Sequence, residues 1–273
     1  LNSTLQCMKA IPELTESLAK FTPGLSSGAQ GDDTVVTATR EIVDELIRSN
    51  SAREVRPMKF VTQFRTAFPL FAQRTDDGRG FVQQDAEECW STLLTALSQR
   101  MVLAMGPDAT SNLPSGEPPL LPRMQALKKT LGDMLCGVEM ESSYACLEGD
   151  SAAEVEPPYT QREGKRVLAC HISEKTAHLY TALDVNLDEV IEKHSSALGR
   201  DVNFSKKSKL ARLPPVLAVQ FVRFAWRKDT AKRAKILRTV SFPAVLDVRG
   251  LCTPDLQAAI AAHRDGLEAE RDA

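Results

Sequence analysis

The sequence lacks closely spaced cysteine pairs, long apolar runs and a large charge imbalance. Its six cysteines are scattered without a C-x-x-C pair, which predicts a reduced, intracellular protein and argues against a structural zinc site. With 34 basic and 36 acidic residues, the net charge of −2 indicates neither a nucleic-acid nor a membrane partner. No apolar stretch approaches the roughly 18 residues that span a bilayer. We therefore expect no metal, no cofactor and no membrane segment.

The composition is that of an ordinary globular protein, with 42% hydrophobic and 26% charged residues. The length of 273 residues is enough for one large domain or two small ones. Apolar side chains recur every three or four residues through much of the first hundred positions. The predicted helices cover residues 1–20, 34–48, 57–68 and 83–104. The inward stripe of the second helix is predicted to be Ile42, Val43, Leu46 and Ile47.

The second half of the sequence has a pattern more typical of strands. The predicted strands cover residues 138–147, 167–172, 179–185, 216–224 and 236–242. Short helices are predicted over residues 124–135 and 188–198, and Thr253 and Pro254 have the chemistry of a helix start. Helices followed by antiparallel strands indicate the α+β class. We divide the chain into a helical part (1–105), an exposed linker or insertion (106–122), a β-rich part (123–252) and a C-terminal helix (253–273).

Four short segments stand in a fixed order along the chain. They are Asn-Ser-Thr-Leu-Gln at 2–6, Gln-Gln-Asp-Ala-Glu-Glu at 83–88, Leu-Pro-Pro-Val-Leu at 213–217 running on to Arg223-Phe224, and Val-Ser-Phe-Pro at 240–243. Each is weakly specific alone, but the set resembles the boxes of the ubiquitin-specific proteases. The resemblance implies a papain-like cysteine protease fold of that type, incomplete at both ends. The helical part would be the thumb, the β-rich part the fingers and palm, and the last helix would lead into a variable insertion.

Three further segments narrow the resemblance to one branch. Residues 6–14, 219–224 and 251–257 are similar to the proteasome-associated members. This implies a thiol isopeptidase that removes ubiquitin from proteasome-bound substrates, in the cytoplasm and also the nucleus. The implied partners are ubiquitin, ubiquitinated proteins and the proteasome regulatory particle. The alternative is a catalytically inactive ubiquitin-binding scaffold.

The family's nucleophile and base are not expected among these residues. Aligned on the first box, the catalytic cysteine would stand two residues before Leu1, and no Gly-His-Tyr box occurs. We interpret Cys7 as a non-catalytic residue near the apolar face of the first helix. The histidines are interpreted as ordinary surface or packing residues, with His171 and His178 in strand-like runs and His194 and His263 on helices. Cys170 and His171 are neighbours in a predicted strand and so point to opposite faces. We expect the chain itself to be inactive.

Recognition of ubiquitin is expected at Gln84, Asp85 and Glu88. Asp85 and Glu88 are three residues apart near a helix start, hence on one face. Residue chemistry alone allows them simply to complement the helix dipole. The resemblance favours a second role, in which the carboxylates bind the arginines of the ubiquitin tail while Gln84 binds its extended backbone.

The stretch 206–238 is rich in lysine and arginine, but an apolar run splits it, so a nucleic-acid interface is disfavoured. Its tip, residues 226–233, is predicted to be a hairpin turn. It is either simply solvated or, as the resemblance suggests, a regulatory loop that contacts the proteasome.

Overall fold

The computed structural model describes residues 1–24, 33–49, 54–101, 130–148, 157–172, 176–227 and 232–272. The chain divides into two compact units, Leu1–Leu135 and Cys136–Ala273. The predicted linker 106–122 and residues 124–129 of the predicted helix 124–135 lie outside the described residues. In the described part, no helix combines the length and apolar character needed to cross a membrane.

The first unit is helical. Its elements are α1 (Asn2–Lys9), α2 (Pro12–Lys20), α3 (Thr34–Arg48), α4 (Met58–Ala67), a 3-10 turn (Pro69–Ala72), α5 (Ala86–Arg100) and α6 (Leu131–Leu135). The single helix predicted over residues 1–20 is wrong, because the chain breaks between α1 and α2. Ile11 is extended, with φ −103° and ψ 104°, as the residue before a proline prefers. Pro12 then occupies the first turn of α2, where its missing N–H is not needed.

Apolar stripes build the core of this unit. In α3 the residues Ile42, Val43 and Leu46 are buried as predicted, whereas Ile47 is 51% exposed because it lies beyond the inward stripe. Four phenylalanines of α4 and the turn after it form a chain of ring contacts, with centroids 4.9 to 5.4 Å apart. These contacts hold α4 and the 3-10 turn together.

The described residues of the second unit form three sheets. The largest is antiparallel, in the order β2 (Tyr159–Lys165), β1 (Val138–Cys146), β5 (Arg200–Arg212) and β4 (Asp188–Ser195). A parallel pair joins β3 (Leu168–His171) to β6 (Val219–Val222), and an antiparallel pair joins β7 (Phe224–Arg227) to β8 (Lys232–Lys235). Helix α7 (Leu179–Asn186), a 3-10 turn (Arg249–Leu251) and helix α8 (Pro254–Asp272) complete the unit.

Two segments have the opposite secondary structure to the one predicted. Residues 179–185, predicted as a strand, form α7, which buries Leu179, Ala182 and Leu183 at helical spacing. Residues 188–198, predicted as a helix, largely form β4, whose backbone pairs with β5 from Asp188 to Ser195. A short apolar run fits either period, and pairing with a distant strand decides the outcome.

The predicted strand over 216–224 is also corrected. Only Val219–Val222 forms β6, its side chains are half-buried, and its partner β3 is parallel to it. The strand stops at Arg223, whose carbonyl accepts from Ile236 N at 2.7 Å and whose guanidinium donates to the carbonyl of Arg238. Residues 236–242 are irregular apart from a bridge at Ser241, and Leu237 is 83% exposed.

The core of the second unit lies against one face of the large sheet. It comprises Val138, Met140, Leu168, Cys170, Leu179, Ala182, Leu183, Leu210, Leu251 and Cys252. Leu256 and Ile260 of α8 pack against this cluster, which places the last helix on the core as an amphipathic element.

Candidate functional site

Helices α1 and α5 bring the first two sequence boxes together. The Thr4 hydroxyl donates to the carbonyl oxygen of Ala86 at 3.2 Å, across 82 positions of sequence, and Thr4 is only 3% exposed. The side chain of Thr4 and the backbone nitrogen of Leu1 also lie beside the thiol of Cys89. The start of α1 therefore meets the first turn of α5, which is where the predicted recognition residues lie.

Asp85 begins α5 as its capping residue. Its backbone is extended, and its Oδ1 accepts a hydrogen bond from Glu87 N at 2.8 Å. This satisfies one of the donors that a helix start leaves free, and the acidic first turn is also favourable to the helix dipole. The structural role considered for Asp85 is thus real, and its exposed side chain keeps further acceptor capacity.

The neighbouring polar side chains differ in how far they are engaged. Glu87 accepts from the Ser91 hydroxyl at 2.6 Å, whereas half-buried Glu88 has no ion pair within the described residues. Gln84 donates through Nε2 to the carbonyl of Leu70 at 3.0 Å, which fixes its amide and leaves Oε1 as an acceptor. Gln84, Asp85 and Glu88 therefore offer acceptors at one end of α5. Their role in binding stays a prediction.

Four of the six cysteines, Cys89, Cys136, Cys170 and Cys252, are buried thiols. Burial raises the pKa of Cys136 to about 11 and also raises the pKa values of Cys89, Cys170 and Cys252. A nucleophilic cysteine needs the opposite shift. Cys7 is exposed, contrary to the expectation that it lies near the apolar face, because α1 buries the stripe through Leu5 and Met8.

The histidines all belong to the second unit. His194 lies on β4, not on a helix as predicted, with Nδ1 at 3.1 Å from an Asp201 carboxylate oxygen. His178 precedes α7 and hydrogen-bonds the Ser241 hydroxyl. On β3, Cys170 is buried and His171 exposed, which confirms that they face opposite sides. In the described part of this unit no hydrogen bond joins a thiol to an imidazole.

The third and fourth boxes line an apolar groove in the second unit. The groove has a volume of about 500 Å³ and is lined by Leu179, Leu213, Pro214, Pro215, Leu217, Val219, Phe221, Phe242, Leu246 and Val248. Phe242 is 71% exposed at its edge. Sequence reasoning recognised both boxes but did not place them together, although their shared apolar character was the available signal.

Two remaining features bear on the predictions. Among the described residues, no three histidine, cysteine or acidic side chains come together in a way that could hold a metal ion. The predicted hairpin is confirmed at the level of backbone pairing, since Trp226 is opposite Arg233 in the β7–β8 ladder. Its turn, residues 228–231, lies outside the described residues.

Curated proteins similar to this chain share one name. Ubiquitin carboxyl-terminal hydrolase 6 of Arabidopsis thaliana is 36% identical over 273 residues, covering 99% of this chain and 50% of that protein. Ubiquitin carboxyl-terminal hydrolase 6 of Schizosaccharomyces pombe is 35% identical, covering 98% and 48%. Ubiquitin carboxyl-terminal hydrolase 14 of Caenorhabditis elegans is 26% identical, covering 84% and 40%. The chain thus spans about half the length of the relatives it matches most fully.

A solved structure has the same fold. The SAGA Ubp8/Sgf11/Sus1/Sgf73 DUB module bound to ubiquitin aldehyde matches with a TM-score of 0.62 and 19% identity, over 93% of this chain and 51% of that one. The mixed helix-and-sheet fold of the ubiquitin-specific proteases is therefore confirmed. The sequence pattern of ubiquitin carboxyl-terminal hydrolases matches residues 1–265. The chain belongs to this family, as a ubiquitin-specific protease.

Proposed function

We propose that the protein is a thiol-dependent deubiquitinase that removes ubiquitin from proteasome-bound substrates, and that residues 1–273 recognise the ubiquitin tail. The observation that carries this proposal is the start of α5, where Asp85 and Glu88 keep carboxylate oxygens without an ion pair in the described part of the chain. The ubiquitin tail is extended and carries arginines before its end. Carboxylates bind guanidinium groups through charge-assisted and often bidentate hydrogen bonds. The related structure bound to ubiquitin aldehyde supports ubiquitin as the ligand.

The catalytic step requires a thiolate, an imidazole base and donors for the developing oxyanion. The buried thiols have the wrong pKa shift for this work, and the first unit, where the first two boxes meet, contains no histidine. By the family resemblance, we propose that the nucleophile is a cysteine two residues before Leu1 and that the base belongs to a Gly-His-Tyr box outside residues 1–273. The residues that bind the tail would then lie close to the catalytic cysteine, because α1 begins beside the first turn of α5.

Conservative substitutions test the tail contact. Asp85→Asn keeps a capping side chain and Glu88→Gln keeps its size, so both remove charge with little effect on the fold. Each should weaken ubiquitin binding about tenfold, because a charged hydrogen bond is worth about 1.5–3 kcal/mol. Glu87→Gln is the matched control, because that carboxylate is already bonded to Ser91. Fluorescence anisotropy with labelled ubiquitin measures all three.

Altered ubiquitin identifies the partner of these carboxylates. Ubiquitin with its tail arginines changed to glutamine should bind the unmodified chain weakly and should not distinguish it from Asp85→Asn. Equal affinity of normal ubiquitin for the unmodified chain and for both variants would contradict tail contact at α5.

A ubiquitin bearing a C-terminal thiol-reactive electrophile tests the assignment of the nucleophile. We expect no adduct on the 273-residue chain and an adduct on a longer protein that includes the cysteine before Leu1. An adduct on any of the six cysteines of this chain would contradict the assignment. Ubiquitin binding by the longer protein without any adduct would favour the inactive scaffold.

The proteasome enters the proposal through the branch resemblance of residues 6–14, 219–224 and 251–257. The basic hairpin 226–233 is the proposed contact or regulatory loop, and the proposed location is the cytoplasm and nucleus. Reversing the hairpin charges in the longer protein should reduce the stimulation of ubiquitin cleavage by added proteasomes and leave the unstimulated rate unchanged. Stimulation that is equal in both proteins would contradict this role.

A further inference from the structure

Helix α4 and the hairpin that follows it hold two arginines against one exposed phenylalanine ring. The Cζ atom of Arg65 lies 3.5 Å from the ring centroid of Phe81, and that of Arg74 lies 4.6 Å from it. Arg74 and Phe81 also face each other in an antiparallel backbone bridge. We refer to Arg65, Arg74 and Phe81 as the arginine patch. It lies entirely within the first unit and directly precedes the box at 83–88.

The arginine patch is built on a fixed backbone. Arg65 Nε donates to the carbonyl of Phe71 at 3.2 Å, so the guanidinium is held by a hydrogen bond as well as by the ring. The hairpin is closed by Thr75 N donating to the carbonyl of Gly80, and Asp77 accepts from the Thr75 hydroxyl inside the turn. A guanidinium that is already oriented loses less freedom when it binds a ligand.

The two guanidiniums lack the ion pairs that other arginines of the unit possess. Arg48, Arg56 and Arg100 each lie close to a carboxylate. Within the described residues, neither Arg65 nor Arg74 has an ion pair; Arg65 donates to the carbonyl of Phe71, and both guanidiniums lie against the Phe81 ring. An unpaired guanidinium stacked on an aromatic ring can still bind a carboxylate through its edge.

Phe81 adds apolar surface to this positive patch. This residue is 37% exposed, so part of the ring stays accessible beside the two guanidiniums. Arginine and aromatic residues are enriched at the centres of protein interfaces. We propose that the arginine patch docks an acidic, partly apolar segment of a partner protein, with its carboxylates on Arg65 and Arg74 and an apolar side chain on the exposed part of Phe81.

The surrounding charges favour a protein segment over other anionic partners. Asp76, Asp77 and Arg79 are exposed at the hairpin tip and Asp85 follows the patch, so carboxylates outnumber the one further cation there. These carboxylates would repel the extended negative surface of a membrane or a nucleic acid, whereas a peptide can place single carboxylates at the two arginines. The arginine-bearing ubiquitin tail has the wrong charge for the patch, so this surface is distinct from the proposed tail site at Gln84, Asp85 and Glu88.

A labelled peptide that alternates glutamate with leucine is a direct probe, compared with the same peptide carrying glutamine in place of glutamate. The 273-residue chain should bind the acidic peptide, and Arg74→Glu should weaken this binding by about tenfold or more, the worth of a charged hydrogen bond. Arg74→Lys, which keeps the charge but loses the planar stack, should lie between them. The matched control is Arg56→Glu, because Arg56 is equally a surface arginine of this unit but already has a carboxylate partner.

Several results would overturn the proposal. The first is that the acidic peptide binds the unmodified chain and Arg74→Glu with equal affinity. The second is that the unmodified chain binds the acidic and the glutamine peptides equally. The third is that Arg56→Glu loses as much affinity as Arg74→Glu, which would indicate an effect of net charge and not of the patch. Capture of the unmodified chain, but not Arg74→Glu, by phosphatidylserine vesicles without peptide binding would assign the patch to lipid instead. Thermal unfolding and ubiquitin affinity of Arg74→Glu should match those of the unmodified chain, which separates this surface from the tail site.

Discussion

The two units satisfy their buried hydroxyl groups over very different distances in sequence. In the helical unit, Thr39 is fully buried and its hydroxyl donates to the carbonyl of Val35, four residues earlier, at 2.7 Å. In the sheet unit, the buried hydroxyls of Ser142 and Ser208 bond to each other at 2.8 Å across 66 residues. The first bond forms once α3 forms. The second exists only after β1 and β5 have paired in the correct register.

This difference shows which parts of the molecule depend on assembly of distant segments. Local bonds make the helices of the first unit nearly self-sufficient in their polar groups. The sheet unit requires its long-range contacts for both packing and polar satisfaction. The helical unit also has long-range bonds: the bond from Thr4 to Ala86 spans 82 residues, and that from Arg100 to Asp33 spans 67.

The largest effect should come from opening a cavity in each core. Leu93 of α5 and Leu210 of β5 are both fully buried. Leu93→Ala and Leu210→Ala should each lower the free energy of unfolding by about 2–5 kcal/mol, through lost burial and the cavity left behind. Hydrogen exchange should show the loss of protection in the unit that carries the substitution. Leu147→Ala, at a side chain 52% exposed, is the control and should change stability by less than about 0.5 kcal/mol. A loss below about 1 kcal/mol at Leu210 would contradict the packing of the sheet core.

The helical unit could largely be predicted from the sequence. Helix α3 covers the predicted residues 34–48, because the period of its buried side chains is contained in the helix itself. Helix α5 was predicted over 83–104 and begins later, at Ala86, because Asp85 has the extended backbone of a cap. Such boundaries depend on one residue's conformation, which periodicity does not determine.

The sheet unit could be predicted only in part. Strand β5 (Arg200–Arg212) was missed, although it is the centre of the large sheet, because its many polar residues resemble a surface segment. Its alternate side chains, including Val202, Phe204 and Leu210, are buried by contact with other strands. The partners of a strand are distant in sequence, so no local window contains the information that makes β5 a central strand.

The buried hydroxyl pair of Ser142 and Ser208 should have an effect of intermediate size on stability, and it tests the difference between the two units. Ser208→Ala leaves the Ser142 hydroxyl buried without its partner and should lower stability by about 1–3 kcal/mol. The double substitution Ser142→Ala with Ser208→Ala should restore much of the loss, because neither polar group then remains. Thr39→Val in the helical unit should cost about 1 kcal/mol or less, because its bond is an addition to a complete helix. Urea unfolding measures the cycle, and a double variant no more stable than Ser208→Ala would show that the hydroxyl pair is not the cause.

The helix start that carries the candidate residues could be predicted from the sequence, but their hydrogen-bond geometry could not. The family resemblance pointed to Gln84, Asp85 and Glu88 at a helix start, and the structure places them there. The restraint of Gln84 by the carbonyl of Leu70 and the contact of Thr4 with Ala86 were not predictable. Both bonds join segments whose approach is determined by packing of the whole unit, and no local pattern contains that information.

The hydrogen bond from Thr4 to Ala86, beside the proposed tail site, should have a smaller effect on stability and tests whether α1 positions α5. Thr4→Val keeps the shape of the side chain and removes its bond to Ala86, which should cost about 1 kcal/mol. The control is Thr15→Val, whose hydroxyl bonds an exposed carbonyl three residues away, at Pro12, and should change stability less. If α1 positions the first turn of α5, Thr4→Val alone should also weaken ubiquitin binding. Equal ubiquitin affinity of the two variants would show that α1 only stabilises the fold.

The smallest expected effects concern two long-range ion pairs, one in each unit. The backbone N–H of Gly24 and the guanidinium of Arg100 hold the pKa of Asp33 below its ordinary value of 3.8. A hydrogen bond from Arg200 likewise lowers the pKa of Glu148 below 4.5. A depressed folded-state pKa stabilises the protein above the unfolded value, and this stability is lost as the pH falls through the folded value. Asp33→Asn and Glu148→Gln should therefore lower the melting temperature at neutral pH, and each difference should shrink as the pH falls below about 4.

The more buried of the two ion pairs should contribute more to the melting temperature. The side chains of Asp33 and Arg100 are 17% and 11% exposed, whereas those of Glu148 and Arg200 are 27% and 57% exposed. The shift in melting temperature should therefore be larger for Asp33→Asn than for Glu148→Gln. Salt near 1 M, where the screening length is about 3 Å, should reduce the Glu148 effect more, because exposed charges are screened and partly buried ones less so. A difference that persists unchanged through the acid range would mean that packing, and not charge, is what each substitution removes.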